Sequence, residues 1–516
     1  MAILERIESD GPRRRLRASS PATLEPIGEF DCATADEVHT AVERARKAQA
    51  DWGALPVGER GRYLLRWLDV FLARQDEVID CVIRETGKPR AEAIGMEVYA
   101  PCDALAYYAK RAERFLRPER RRVHGPMGLA KKLTLVWEPL GVVALVTPWN
   151  GPVALAMVPT VQALAAGNAV VHKPSEVTPF SALVVKSIFD EAGMPADLYQ
   201  VVQGDGETGA ALVGADVDKV SFTGSVETGR RVAEACAQRL VPCTLELGGK
   251  DAMIVCADAD LDRAAEGAVL GSCMNTGHYC CGTERIYVEE AVHDAFVEKV
   301  VARTRALRQG VEGAGQDDVD VGAVFWDRQM EIIERHVDDA RARGARVLVG
   351  GRRNPDLPGL FYEPTVIVDL DPGMEILRDE TFGPIVAIVK VRDADEALRL
   401  ANDSRYGLNG NVWTRDPERG FRLARALDTG GVCINDMALT YGLPEAPFGG
   451  RKDSGVGRVN GGADGLRGYC HAKPISADRR GKGAIQGGYP YTRKASDGMQ
   501  KFIRLVFGTR LGRWLG

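Results

Sequence analysis

At 516 residues the chain is too long to fold around one compact core, so two or three domains are expected. A hydrophobic share of 45 % beside 27 % charged residues is that of an ordinary soluble globular protein. The net charge of −5 excludes the overall basic footprint of a nucleic-acid binder, and eleven cysteines without regular spacing suggest neither a disulfide frame nor a metal site.

Reduced thiols in a cytoplasmic protein are the simpler reading of those cysteines. Met1 to Ala18 holds acids and an Arg run rather than the apolar core of a secretory signal. Residues 35 to 118 read as mainly helical, because Ala35 to Trp52 and Glu59 to Thr86 place apolar residues at spacings of three and four. Pro139 to Val171 has no charged residue and is long enough for a membrane-crossing helix, but Pro148, Asn150, Gly151, Pro152 and Pro159 interrupt it. It divides better into a buried strand (Val142 to Val146), a turn, a helix (Val153 to Ala166) and a second strand (Ala169 to His172). With Leu198–Val202, Lys219–Phe222 and Thr244–Leu247, these short β-branched runs alternate with helical segments, which argues for a doubly wound parallel sheet. A second α/β series follows, with strand candidates Ala252–Val255, Arg285–Val288, Arg346–Val349, Ile385–Lys390, Gly410–Trp413 and Val432–Asn435. After about Ala477 the chain turns Gly-rich, then basic and apolar.

Two segments carry the chemistry: Leu245-Glu246-Leu247-Gly248-Gly249-Lys250 and Asn275-Thr276-Gly277-His278-Tyr279-Cys280. An acid and a thiol with Gly-rich flanks suit covalent catalysis, in which the thiol attacks and the carboxylate later activates water. Together they resemble the signatures of the aldehyde dehydrogenase superfamily, of the hydrolytic NAD(P)-dependent type. Four further blocks extend the resemblance over residues 20 to 475: Thr147-Pro148-Trp149-Asn150, Lys173-Pro174-Ser175-Glu176, Phe222 to Gly229, and Asp379 to Pro384. Pro447 to Gly455 also matches, as a structural loop near the site.

The resemblance implies a Rossmann-like cofactor-binding domain (residues 1–122 and 137–248), a second α/β catalytic domain (249–452) and a small β oligomerisation element (123–136 and 467–477), ahead of a tail at 478–516 with an amphipathic helix. It implies that Cys280 is the nucleophile, Asn150 the oxyanion donor and Glu246 the base that hydrolyses the thioester. Cofactor contacts would come from Thr147, Pro148, Trp149, Lys173, Ser175, Glu176, Gly206, Phe222, Thr223, Gly224, Ser225, Leu247, Gly248, Glu380 and Phe382. Lys173 and Glu176 would hold the adenosine ribose, and Glu176 would repel a 2′-phosphate, favouring NAD with NADP still possible. No metal is implied.

His278 stands where the family usually has Gln, Tyr279 precedes the thiol, and His471 falls where some relatives carry a second acid. Gly151 follows Asn150, and Val158 replaces what is often a bulkier side chain, so an apolar medium- or long-chain or aromatic aldehyde is expected. The alternatives are a semialdehyde substrate, thioester formation with coenzyme A (disfavoured by Glu246), or an inactive binding protein. A homodimer or homotetramer is expected through a hairpin at Val123 to Val136, turning at Gly125-Pro126-Met127-Gly128, and a late strand at Tyr469 to Ile475. In the tail, Met499, Phe502, Ile503, Val506 and Phe507 follow helical spacing with Lys501 and Arg504 opposite, and Gly508 is expected to end the helix before Arg510, Arg513 and Trp514. Packing, a lid over the substrate tunnel and peripheral attachment to an anionic membrane are the three roles open to it.

Overall fold

Five parallel strands line up their carboxyl ends along one edge, and the candidate cofactor residues follow from that alignment. In spatial order they are Cys243–Leu247, Lys219–Gly224, Val142–Val146, Ala169–Lys173 and Tyr199–Val201, and Gly455–Val456 adds an antiparallel sixth strand beside Leu245 and Glu246. The molecule is seen in a computed structural model that describes residues 2–7, 13–311, 318–437, 440–482 and 488–510. Val142, Val143, Ala144, Leu145, Val170 and Val171 are all buried, as a sheet covered by helices on both faces requires.

The helical N-terminal third packs on this sheet. Ala35–Ala54 starts at a capping box between Thr34 and Glu37. The run from Glu59 to Thr86, read as one periodic stretch, is two helices, Val57–Ala73 and Gln75–Thr86. Arg74 breaks them with ψ near 18° and is held there by Glu77 and Glu191. A π-helical stretch at Ala93–Tyr99, invisible to a 3.6-residue pattern, brings Glu97 into the core.

The second sheet has seven strands, in the order Arg346–Val349, Thr365–Val368, Ile385–Val391, Thr283–Glu289, Asp251–Val255, Gly410–Trp413 and Cys433–Ile434. All neighbours are parallel except the first pair. A third, three-stranded antiparallel sheet joins Glu119–Arg121, Lys131–Pro139 and Cys470–Asp478. The expected hairpin therefore starts earlier and ends later than read. Its turn also contains a single helical turn, Met127–Ala130, where Pro126 supplies a helical φ ahead of the first residue. In the tail, Arg493–Gly508 is helical, capped by Thr492, and ends at Gly508. Arg513 and Trp514 lie outside the described residues.

Candidate active site

The order of the first sheet reverses between Val142–Val146 and Lys219–Gly224, and ligands of open α/β sheets bind at such a switch point, beyond the carboxyl ends of the strands. Thr147, Pro148, Trp149 and Asn150 follow one of those ends, while Lys173, Gly224 and Leu247 are the last residues of three others. The Thr147 hydroxyl lies 2.8 Å from Nε2 of His172, whose Nδ1 lies 2.9 Å from the Tyr199 hydroxyl. Burial drives the His172 pKa down to about 3, so this ring is a neutral structural bridge. Lys173 Nζ donates to Glu176 at 2.9 Å, and the Ser175 hydroxyl accepts from the Val177 N–H. Ser225 caps the helix Val226–Arg239 by accepting from the Thr228 N–H, with Thr223 half-buried before it. The tip of the Phe222 ring lies against Gly224, where a Cβ would lie 2.6 Å from its Cζ. Gly206 opens the helix Gly206–Gly214 with nothing within 4 Å of a Cβ built on it.

The thiol sits after a strained turn. Asn275 and Thr276 have φ of 54° and 55°, and Gly277 has φ of 75°. Left-handed backbone is costly for a β-branched residue such as Thr276, about 1–3 kcal/mol, so surrounding contacts must hold it. The Asn275 side-chain amide donates to the carbonyls of Asn150 (2.9 Å) and His278 (2.8 Å), and its backbone N–H donates to Glu92 (2.7 Å). Only a glycine fits at Gly277, because a Cβ there would lie 2.1 Å from the backbone of Gly383. Asn150 Nδ2 donates to the His278 carbonyl at 3.0 Å, which fixes the amide two residues ahead of Cys280.

Glu246 and Cys280 are brought together by the glycines between them. A Cβ on Gly248 would lie 2.2 Å from a carboxylate oxygen of Glu380, and one on Gly249 would lie 2.6 Å from the Cys280 carbonyl. The strand end thus touches the thiol loop and Glu380 with bare backbone. Glu246 is buried, and neither of its carboxylate oxygens accepts a hydrogen bond from the described residues. Burial first and the neighbouring Cys280 second raise its pKa well above the usual carboxylate value, while Arg458 opposes them. Cys280 itself is half-buried, among Met274, Tyr279, Met437, Tyr441 and Phe448. Its neighbour Cys281 is buried, which fits the spacing argument for Cys280 as the reachable thiol.

The model of the aldehyde dehydrogenase family matches residues 7–475. This chain is a member of the aldehyde dehydrogenase family. It is 40 % identical over 458 residues to a Mycolicibacterium smegmatis protein named putative succinate-semialdehyde dehydrogenase (NADP+), covering 89 % of this chain and 86 % of that one. It is 37 % identical over 494 residues to 4,4'-diapolycopene aldehyde oxidase of Methylomonas, covering 96 % of this chain and 91 % of that one. A match that leaves out so little must run beyond residue 475, where the family match ends. Among solved structures, Mycobacterium tuberculosis aldehyde dehydrogenase complexed with NAD+ superposes with a TM-score of 0.85 at 34 % identity, covering 91 % of this chain and 95 % of that one.

Three features of this aldehyde dehydrogenase site escaped the sequence. Glu284 accepts the N–H groups of Thr381 (2.8 Å) and Phe382 (2.9 Å) and pairs with the fully buried Lys250, whose Nζ also donates to the Thr381 hydroxyl. The Lys that ends the Glu246 block therefore fixes the Glu380–Phe382 loop, where Phe382 has a strained φ of 49°. Glu380 accepts the Gly249 N–H at 3.0 Å, and burial together with nearby Glu284 raises its pKa. His278 is the second feature: it is buried and held neutral by burial, with a pKa lowered to about 3, between Trp149, Phe325 and Phe382 at ring separations of 5.0, 4.5 and 5.7 Å. The third is the buried Lys88, which donates to Glu97 and to the Asn150 carbonyl. Nothing in a run such as Gly87-Lys88-Pro89 signals burial, since lysine is ordinarily exposed. His471 is exposed and faces Glu138 across the antiparallel pair.

Proposed function

We propose that the enzyme oxidises an apolar aldehyde to its carboxylic acid with NAD(P), through a thioester on Cys280. The Cys280 thiolate attacks the carbonyl carbon, and Asn150 has a second amide N–H to offer the oxyanion besides the one given to His278. Collapse of that adduct expels hydride and leaves the acyl group on sulfur. Glu246 then takes a proton from the water that attacks the thioester, releasing the carboxylate and the thiol.

The cofactor residues fit a dinucleotide. The capped N-terminus at Ser225 and the open approach at Gly206 suit a pyrophosphate, and the Lys173–Glu176 pair suits a diol. Thr147 to Trp149, Leu247, Gly248, Glu380 and Phe382 would flank the nicotinamide end, and when bound NAD(P) supplies the hydride acceptor. Residues 1–122 with 137–248 would form the cofactor domain and 249–452 the domain that carries the thiol.

The apolar surroundings of Cys280 carry the substrate reading. Val158 is buried, and Leu155 occupies the space left beside Gly151, 3.1 Å from where its Cβ would be. The relative named for 4,4'-diapolycopene aldehyde supports an apolar substrate. The relatives named for succinate semialdehyde favour a second reading, which needs a cation for the distal carboxylate. Lys88 is committed to Glu97, and Arg458 donates to the Gly450 and Gly457 carbonyls. Values of kcat/KM for decanal, benzaldehyde and succinate semialdehyde, each with NAD and NADP, test this. Decanal or benzaldehyde should be preferred; a preference for succinate semialdehyde would replace the apolar reading with the second one.

A further inference from the structure

We infer that the helix Arg493–Gly508 docks the enzyme on an anionic lipid bilayer, lying in the headgroup plane. The helix places Met499, Phe502, Ile503 and Val506 on one side, at spacings of three and four. Met499, Phe502 and Ile503 are about half exposed, at 53 %, 44 % and 48 %. An apolar stripe of that kind needs a cover, and the charges around it say of what chemistry. Lys494, Lys501 and Arg504 occupy the opposite side, joined there by Asp497, the helix's one acid. From Arg479 to Gly516 the sequence carries nine Lys and Arg against that single acid, in a chain whose net charge is −5.

A second copy of this chain, acidic over the rest of its length, could attract the charges, but an apolar stripe flanked by cations is the pattern that enters an anionic headgroup layer. Tyr489 and Tyr491, exposed just before the helix with their rings 4.7 Å apart, add side chains that favour the water–lipid boundary. The helix has 16 residues, about 24 Å at 1.5 Å per residue, and among the described residues no helix is long and apolar enough to cross a membrane. The contact is therefore peripheral.

Flotation of the full-length enzyme with vesicles tests the inference, using phosphatidylcholine alone and a 7:3 mixture with phosphatidylglycerol. The enzyme should float with the anionic vesicles, release in high salt, and bind neutral vesicles at least about tenfold more weakly. The double variants Phe502→Ser/Ile503→Ser and Lys501→Glu/Arg504→Glu should each lose binding about tenfold or more, with turnover of propanal unchanged as the check on folding. Wild-type enzyme that stays with the unbound fraction overturns the inference, as do variants that float as well as wild type. If instead the Phe502→Ser/Ile503→Ser enzyme shows a smaller mass by light scattering and wild type does not float, the stripe covers a neighbouring subunit and the inference falls.

Discussion

Lys88 and Glu97 form an ion pair of 2.6 Å with neither side chain exposed to solvent, and each also holds the segment that begins at Asn150. Lys88 donates to the Asn150 carbonyl, and the second Glu97 oxygen accepts the N–H groups of Val153 and Ala154, at the start of the helix Ala154–Ala166. The pair therefore sets the position of the proposed oxyanion donor from behind. Removing one partner strands a buried charge, at a cost of about 3–5 kcal/mol. Lys88→Met should lower the melting temperature markedly and reduce kcat about tenfold or more with KM little changed, because the proposed transition-state donor is displaced. The double variant Lys88→Met/Glu97→Gln should recover much of the stability and little of kcat. Thermal melts and steady-state kinetics on the three proteins check this; recovery of both together would make the pair purely structural.

Glu246 predicts a pH profile. Its raised pKa keeps it protonated near the usual carboxylate range, so the base form proposed to hydrolyse the thioester grows as pH rises through that higher value. Turnover should climb over this limb, and a burst of NADH should precede slower steady state. Glu246→Gln should keep the burst, abolish the limb and slow turnover about 10²-fold or more. The stability sign is the reverse. A carboxyl whose folded pKa is raised binds more protons folded than unfolded between pH 4.5 and that value, so stability falls as pH rises across the window. Glu246→Gln should therefore melt higher than wild type at pH 8 while matching it at pH 4.

How much of this was legible in the sequence follows from what each signal measures. Val142–Val146 and Ala169–Lys173 were visible because strands buried on both faces read as unbroken apolar runs. Cys280, Glu246 and Asn150 were visible as motifs, and the glycines between them mark where backbone touches backbone. Glu284, Lys88 and Glu97 were not, since their importance lies in long-range pairs with Phe382, Asn150 and Val153 that no local pattern encodes. The break at Arg74 was missed for a related reason: the apolar period continues across it, and only the ion pairs to Glu77 and Glu191 reveal the kink.

Asn275 joins backbone strain to site geometry. Asn275→Ala removes the amide that donates to Asn150 and His278 and leaves a Cβ residue at φ of 54°, for a loss of about 2–3 kcal/mol. Asn275→Gly removes the same amide and relieves the backbone. Denaturant titration should find the Gly variant the more stable by about 1 kcal/mol, with kcat depressed similarly in both. A Gly variant with wild-type kcat would mean that the turn needs only its backbone shape.

Glu176 predicts cofactor discrimination. It lies 2.9 Å from Lys173 and remains a quarter exposed, able to meet a ribose. Glu176→Ala removes the charge that would oppose a 2′-phosphate and frees Lys173 to attract it. The ratio of kcat/KM for NADP over NAD should rise about tenfold or more, mostly through KM for NADP. An unchanged ratio would assign discrimination to other residues.

Cys470–Asp478 is an edge strand, paired on one side with Lys131–Pro139 and exposed along nearly its whole length. An exposed edge of nine residues offers a row of backbone groups for another chain. Pro474 and Ile475 lie in its middle, and Ile475 is 48 % exposed. An exposed edge of that length is a template for pairing, so a second copy of the chain is the expected cover. Light scattering at micromolar concentration should give a homodimer or homotetramer. Ile475→Asp should shift the population toward monomer, and the melting temperature should then depend on protein concentration. Loss of the oligomer should slow turnover less than it lowers stability, because Cys280, Glu246 and Asn150 all come from one chain and none lies in this sheet. A wild-type enzyme that scatters as a monomer would leave this edge without a partner and remove the oligomeric assignment.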